Sequence, residues 1–332
     1  MKIALSTAFV FALAGCANLV PTPSTPSILV DLDPASVERT VIVESIAANS
    51  AGLLHVADRV SGNVMRIDPK NPRPVVVGSL GARSVNGQTT KPNPSGMAFN
   101  AQGDLLIVAS AFGEIVRLRA TELDPTRPGV AQTFATGAPG ANGVDFDRQG
   151  RLYISGGASG NIFRVGPNGG AVENVATIER FTRTLPDGRT QQSIVANGLA
   201  FDTAGVLHVA DTARGAVWRI AIDGEGRAQR PVLWVQNPAL HGADGLAFDA
   251  RGQLWVAVNE LNALVRISPA GELTEAARNG AGGPLEFPAA LAFVGDTGYI
   301  ANFDTPRRVN LDPGSTTTAR EGIGASIARV TR

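Results

Sequence analysis

Large apolar and small residues alternate along short segments of this chain, and the alternation recurs in six similar units. In one unit, Leu199 and Phe201 alternate with Gly198 and Ala200, which is the two-residue period of a β-strand. The units begin at Glu44, Ser95, Asn142, Asn197, Asp244 and Ala289. Successive units start 51, 47, 55, 47 and 45 residues apart. This spacing indicates an internal repeat.

Each unit contains further strand-like runs. In the fourth unit they cover residues 206–210, 216–220 and 231–235. A repeat of about 40–50 residues with several short strands is typical of a β-propeller blade. The sequence therefore predicts an all-β, six-bladed propeller with four antiparallel strands in each blade. The sixth unit ends with its third strand, so we expect an N-terminal strand within residues 37–43 to complete the last blade and remove the open edge.

Composition and charge agree with such a fold. The 332 residues include 38 Gly and 21 Pro, which suits a protein with many turns. Lys and Arg number 29, as do Asp and Glu, so there is no net charge to attract nucleic acid. We expect a monomer with a small-molecule substrate and no nucleic-acid partner.

The first residues resemble a bacterial lipoprotein leader. Lys2 precedes an apolar run over residues 3–13, and Leu-Ala-Gly then leads to Cys16, the only cysteine. This pattern predicts a signal peptide over residues 1–15 and lipid modification of Cys16. An ordinary signal peptide with a chance cysteine is the alternative.

A segment rich in Pro, Ser and Thr follows the cysteine. We interpret residues 16–36 as a tether and residues 37–332 as the propeller, a single domain. The protein is then expected at the bacterial cell envelope, held in the membrane through Cys16. Because Ala17 follows the cysteine, the expected place in a Gram-negative cell is the periplasmic face of the outer membrane.

The first residues of the six units are expected to meet at one end of the propeller, because equivalent positions of all blades surround one axis. Four of them carry side-chain oxygen atoms, namely Glu44, Asn142, Asn197 and Asp244. Calcium takes six to eight oxygen ligands, whereas zinc prefers nitrogen and sulfur. These four residues therefore predict a site for calcium, or another hard divalent cation, at the propeller mouth. Asn-Gly and Asp-Gly are also common turn formers, but Glu44 occupies the same register without forming such a dipeptide.

Other segments are predicted to reach the same mouth. The second strands of the units are expected to end there, at Asp58, Ser110, Gly156, Asp211, Val258 and Asn302. Two long connections, residues 79–94 and 179–196, are candidates for a lid or a substrate-binding wall.

The motifs Asn197-Gly-Leu-Ala-Phe and Asp244-Gly-Leu-Ala-Phe-Asp, with Glu44-Ser and Asn142-Gly in register, resemble the gluconolactonase/regucalcin (senescence marker protein-like) family. That family includes diisopropylfluorophosphatase and is similar in architecture to serum paraoxonase. The resemblance spans the propeller and implies one divalent cation, usually calcium. Glu44, Asn197 and Asp244 would be the core ligands, and Asn142 would be a fourth ligand or a substrate-orienting group.

The resemblance also implies chemistry for Asp244, as general base toward water or as nucleophile in phosphotriester cleavage. One departure is that Ile46-Ala-Ala stands where the family often has Pro-x-Trp after the Glu. We expect a calcium-dependent hydrolase of lactones or related esters, with Asp244 and Asn142 as catalytic residues. A non-catalytic envelope propeller of NHL type and a strictosidine-synthase-like enzyme are the alternatives, because a fold alone does not determine function.

Overall fold

Six sheets, each built on four antiparallel strands, surround a central axis in the computed structural model, which describes residues 25–33, 39–184, 187–280, 283–304 and 324–331. The sheets are called blades 1 to 6 in chain order, and their strands are counted outward from the axis. The six-bladed, all-β prediction is thereby confirmed. No α-helix occurs in the described ranges; the helical segments there are short 3₁₀ turns at Ser110–Phe112, Ala120–Glu122, Pro238–Leu240 and Asn259–Leu261.

The strands occupy equivalent positions in the six units. The innermost strands are Val43–Ala48, Pro94–Phe99, Val144–Phe146, Leu199–Phe201, Ala243–Phe248 and Pro288–Val294. The second strands are Leu54–Asp58, Leu105–Ala109, Leu152–Ser155, Val206–Asp211, Leu254–Val258 and Thr297–Asn302. The third strands are Asn63–Asp68, Glu114–Leu118, Asn161–Val165, Ala216–Ala221, Ala263–Ile267 and Ser326–Thr331. The outer strands are Asn71–Ser79, Gln132–Thr136, Glu173–Thr177, Val232–Gln236, Leu273–Arg278 and, for blade 6, Ser27–Asp31.

The ring is closed by an N-terminal strand, but at a different place from the one predicted. Ser27–Asp31 pairs antiparallel with Ser326–Thr331, with Ser27 opposite Arg329. The position predicted for this strand, residues 37–43, is wrong, and the strand lies inside the segment that we interpreted as a tether. Its apolar side chains explain the pairing, because they pack onto the cores on both sides of blade 6. Residues 1–24, with Cys16, lie outside the described residues, so the leader and the anchor stay predictions.

The hydrophobic core is divided among the blade interfaces. Six clusters of buried apolar side chains are present, and each joins two neighbouring blades. The cluster between blades 6 and 1 includes Ile46, Val56 and Ile327. Since burial of apolar surface is the main favourable contribution to folding, the clusters between consecutive blades hold the ring together.

Glycine at the second position of the inner strands allows these strands to approach closely at the axis. A Cβ atom on Gly198 would lie 2.3 Å from the carbonyl oxygen of Asp244, and one on Gly143 would lie 2.8 Å from that of Asn197. Neither glycine has a positive φ. The glycine of Asn-Gly is therefore required here by close packing between blades rather than by turn geometry.

The two long connections form β-hairpins. One pairs Arg83–Val85 with Gln88–Thr90, and the other pairs Phe181–Thr184 with Thr190–Ser193. Two-residue strands at Gly129–Val130 and Gly170–Ala171 run parallel to the outer strands of blades 1 and 2. No helix within the described part of the chain is long and apolar enough to cross a membrane.

Candidate metal centre

A cavity of about 380 Å³ lies on the propeller axis and is lined by the inner strands of all six blades. Its wall contains the four predicted ligand residues Glu44, Asn142, Asn197 and Asp244. The repeat therefore brings together side chains that are up to 200 residues apart in sequence. The described residues of the two hairpins are absent from this wall, and the lid or substrate-binding wall suggested for these connections stays a prediction.

Asp244 is the most perturbed acid of the cavity. It is 8% exposed, and its Oδ2 accepts a hydrogen bond from Asn259 Nδ2 at 3.0 Å. Burial raises the pKa of Asp244 to about 7, against the opposing effects of hydrogen bonds from Asn259 and Asn197 and of the positive charge of Arg59. A carboxylate that is costly to ionise without a counter-charge is suited to a cation ligand.

Asn197 is oriented by a chain of two hydrogen bonds. Thr212 Oγ1 donates to the carbonyl oxygen of Ala243 at 2.7 Å, and Asn197 Nδ2 donates to Thr212 Oγ1 at 2.9 Å. Because the threonine proton is already committed to a carbonyl, its hydroxyl has to accept from Asn197. The amide nitrogen of Asn197 is thereby fixed on Thr212, which leaves the carbonyl oxygen of the carboxamide for another partner.

Glu44 is paired with a cation of its own blade. Arg59 Nη1 contacts Glu44 Oε2, and the two side chains are only 19% and 17% exposed. The same carboxylate oxygen is buried and accepts no hydrogen bond from any other described residue. Burial, together with nearby Arg39, lowers the pKa of Arg59 to about 10, while Asp244 acts in the opposite direction.

The side chain of Asn142 is the least constrained of the four. Its backbone carbonyl accepts hydrogen bonds from Gly96 N at 2.7 Å and from Ser95 Oγ at 3.0 Å, which fix the strand. No hydrogen bond to its carboxamide is found within the described ranges of the chain. This side chain is therefore available to a ligand in the cavity.

The side chains that contact Glu44, Asn197 and Asp244 come from one equivalent position of their blades, and this explains why Asn142 lacks such a partner. The repeat pattern in the sequence does not reveal this position. The residues that hold Glu44, Asn197 and Asp244 are Arg59, Thr212 and Asn259. Each follows directly after the second strand of its own blade. In blade 3 the residue at the same distance from the first residue of the unit is Gly157, which has no side chain to offer to Asn142.

The predicted ends of the second strands have structural roles instead. Asp58 Oδ1 accepts hydrogen bonds from Ile42 N and Val60 N at 3.0 and 2.9 Å. Asp211 Oδ2 accepts from Arg214 Nη1 at 2.8 Å and from Trp218 Nε1 at 3.0 Å. Both carboxylates are thus engaged in the turns that follow their strands, and neither lines the axial cavity.

The donor set fits a hard divalent cation. The carboxylates of Glu44 and Asp244 and the carboxamides of Asn142 and Asn197 line one cavity, and the hydrogen bond from Asn197 Nδ2 to Thr212 leaves the carboxamide oxygen of Asn197 for another partner. No cluster of three or more His, Cys, Asp and Glu residues suited to a metal is present among the residues that the structure describes. A metal at the mouth would therefore depend on carboxamide oxygens, which calcium accepts and zinc does not favour.

Solved structures share the whole architecture of this chain. A gluconolactonase from Xanthomonas campestris is 15% identical with a TM-score of 0.61, over 93% of this chain and 97% of that chain. A calcium-binding regucalcin from Agrobacterium tumefaciens str. C58 is 16% identical with a TM-score of 0.60, over 93% and 95% of the two chains. A luciferin-regenerating enzyme gives 16% identity and a TM-score of 0.61, over 93% and 95%. At these identities the similarity establishes the fold.

The family assignment rests on the sequence match. No curated protein matches the sequence. Residues 60–299 match the profile of the SMP-30/gluconolactonase/LRE-like region, a range that includes Asn142, Asn197 and Asp244 and leaves out Glu44 and Arg59. Because this match covers most of the chain, the protein belongs to the SMP-30/gluconolactonase/LRE-like family.

Proposed function

We propose that the protein is a calcium-dependent hydrolase of lactones or related esters. The observation that supports this most directly is the axial cavity, where the oxygen-bearing side chains of Glu44, Asn142, Asn197 and Asp244 from four blades line one wall. The gluconolactonase-type family of the chain supports a hydrolase of the lactonase class. The dependence on calcium and the assignment of these residues to it are our proposal.

Glu44, Asn197 and Asp244 would hold the ion, with Asn142 beside them. A bound calcium ion would polarise the carbonyl oxygen of the substrate as a Lewis acid. Asp244 would accept a proton from the attacking water as the water oxygen bonds to the carbonyl carbon. The ring C–O bond would then break and the alkoxide oxygen would take up the proton held by Asp244, which gives the hydroxy acid. Asn142, whose carboxamide is uncommitted, would orient the substrate.

The reaction can be tested with purified protein and a set of aldono- and aliphatic lactones. We expect hydrolysis in calcium and its loss in EDTA, with recovery when calcium is restored. Aryl esters and phosphotriesters in the same assay show whether the site is selective for lactones. Failure of the calcium-loaded protein to hydrolyse any of these substrates above background would reject the enzyme and favour a binding propeller.

Metal binding can be tested without any substrate. A ligand that binds only the folded protein stabilises it by about 2.7 kcal/mol at 100 times its dissociation constant. We therefore expect calcium to raise the melting temperature and EDTA to lower it. Asp244→Ala should abolish this response. Ser95→Ala is the matched control, because Ser95 has the same register in blade 2 but is absent from the cavity wall. Equal calcium responses in Asp244→Ala and the unmodified protein would refute the site.

A further inference from the structure

We propose that Arg59 is a tethered cation on the Glu44 side of the metal centre, and that a divalent ion must displace it from Glu44 in order to bind. This inference rests on the proposed metal site and adds a competitor that belongs to the chain itself. It predicts that the unmodified protein binds calcium more weakly than its set of oxygen ligands would allow.

The guanidinium group is held in place on several sides. Besides its contact with Glu44, its Nε donates to Asn93 Oδ1 at 2.8 Å. Asn93 is itself fixed, because its Nδ2 donates to Ser110 Oγ at 3.2 Å and Ser110 Oγ donates to its backbone carbonyl oxygen at 2.6 Å. The ring of Phe303 lies 5.4 Å from the guanidinium carbon, within the range of a cation–π contact. Arg59 is therefore a fixed part of the mouth rather than a freely moving surface side chain.

Its charge acts on both carboxylates that are proposed to hold the metal. It pairs with Glu44 and also interacts electrostatically with Asp244. A guanidinium in this position supplies part of the positive charge that a divalent ion would bring. A divalent ion coordinated by Glu44 would be repelled by the guanidinium at short range, and this repulsion is strong where water is partly excluded. Binding therefore requires the ion pair to open.

The equivalent positions of the other blades show why this arrangement is specific to blade 1. Thr212 and Asn259 hold Asn197 and Asp244 by neutral hydrogen bonds, which orient a ligand without competing with a cation. Arg59 stands in the same register but is charged.

Calcium titration calorimetry on the full protein tests the proposal. We expect Arg59→Met to bind calcium at least tenfold more tightly than the unmodified protein. Arg59→Gln should also bind calcium more tightly, while it keeps a polar contact with Asn93. Arg59→Lys keeps the charge and should stay closer to the unmodified protein. The matched control is Arg83→Met, which removes an Arg–Glu ion pair of 2.7 Å with Glu114 outside the cavity and should leave calcium affinity unchanged.

Melting temperatures in EDTA give a second measurement. Arg59→Met leaves Glu44 without its counter-charge, so it should melt lower in EDTA and gain more from calcium than the unmodified protein. Binding by Arg59→Met alone would support the inference and reject calcium dependence of the unmodified chain. Equal or weaker affinity in both neutral variants would overturn the inference and leave the proposed function standing. Absence of binding in every protein would overturn both.

Discussion

Asp244→Asn is expected to lower lactone hydrolysis by about 10² to 10⁴, the usual contribution of a positioned general base, while calcium binding stays measurable. The substitution keeps the shape of the side chain and one oxygen atom but removes the ability to accept a proton. Asn259 donates to the present carboxylate, so the single, uncharged amide oxygen has to serve both Asn259 and the ion. We therefore expect calcium affinity to fall, but far less than turnover.

Parallel measurements of kcat, KM and calcium affinity separate the two roles of Asp244. Asp249→Asn is a suitable control, because Asp249 is a buried acid of the same blade that accepts from Trp255 Nε1 at 3.1 Å and is absent from the cavity wall. It should leave kcat nearly unchanged. Asn142→Ala should raise KM more than it weakens calcium binding. Full turnover in calcium-loaded Asp244→Asn would show that the base lies elsewhere.

The sequence predicted the fold and the composition of the cavity because both follow from a repeat. Alternation of large and small residues located the inner strands. The constant register then implied that Glu44, Asn142, Asn197 and Asp244 would share one axis, and the cavity wall contains all four. This step needs no side-chain geometry, since the symmetry of a propeller determines which positions meet.

The residues that contact these side chains, namely Arg59, Thr212 and Asn259, could not be predicted in the same way. In blades 1 and 5 the strand pairing shifts by one residue beside the first residue of the unit. The shift lies between Val43 and Ile46 in blade 1 and between Ala243 and Leu246 in blade 5. A bulge of this kind interrupts the regular alternation of side chains. The hydrophobic pattern therefore could not show whether the last residue of the second strand or the next one contacts the first residue of the unit, and it does not point to Arg59.

The closing strand was misplaced for a compositional reason. Pro, Ser and Thr dominate the residues before Ser27, and this composition concealed the short apolar run within Ser27–Asp31. A strand of five residues is recognised mainly by its partner, and here the partner is Ser326–Thr331, near the other end of the chain. A contact of such sequence separation has no local signal.

Asp145 is expected to make stability depend on pH between about 4 and 6. The other five units have alanine at this position, namely Ala47, Ala98, Ala200, Ala247 and Ala292. Burial raises the pKa of Asp145 to about 6, and hydrogen bonds from Phe201 N and Phe146 N oppose the shift. The carboxyl group also lines both the axial cavity and a second cavity of about 620 Å³ that shares Phe201 and Phe248 with it.

The direction of this pH dependence follows from the order in which the unfolded and folded states release the proton of Asp145. As pH rises past the ordinary value of 3.8, the unfolded chain releases its proton while the folded protein keeps it until about pH 6. The folded state thus loses up to about 3 kcal/mol across this window, at about 1.4 kcal/mol for each unit of pKa difference. Water in the cavities reduces this figure, so it is an upper value.

Asp145→Asn removes this titration. The free energy of unfolding of the variant, relative to the unmodified protein, should therefore rise by up to about 3 kcal/mol from pH 4 to pH 7. The substitution also removes one side-chain oxygen that accepts a hydrogen bond from the backbone. This loss changes the free energy of unfolding by about 1 kcal/mol at every pH, so it does not alter the slope of the difference between variant and unmodified protein against pH. Urea unfolding at several pH values measures this difference, and a difference that does not change with pH would contradict a half-buried carboxyl that retains its proton. Asp223→Asn provides the opposite case, because backbone hydrogen bonding to Arg227 lowers the pKa of that exposed carboxyl. The free energy of unfolding of Asp223→Asn, relative to the unmodified protein, should therefore fall as pH rises. This opposite slope separates the effect of the Asp145 environment from a general effect of removing negative charge.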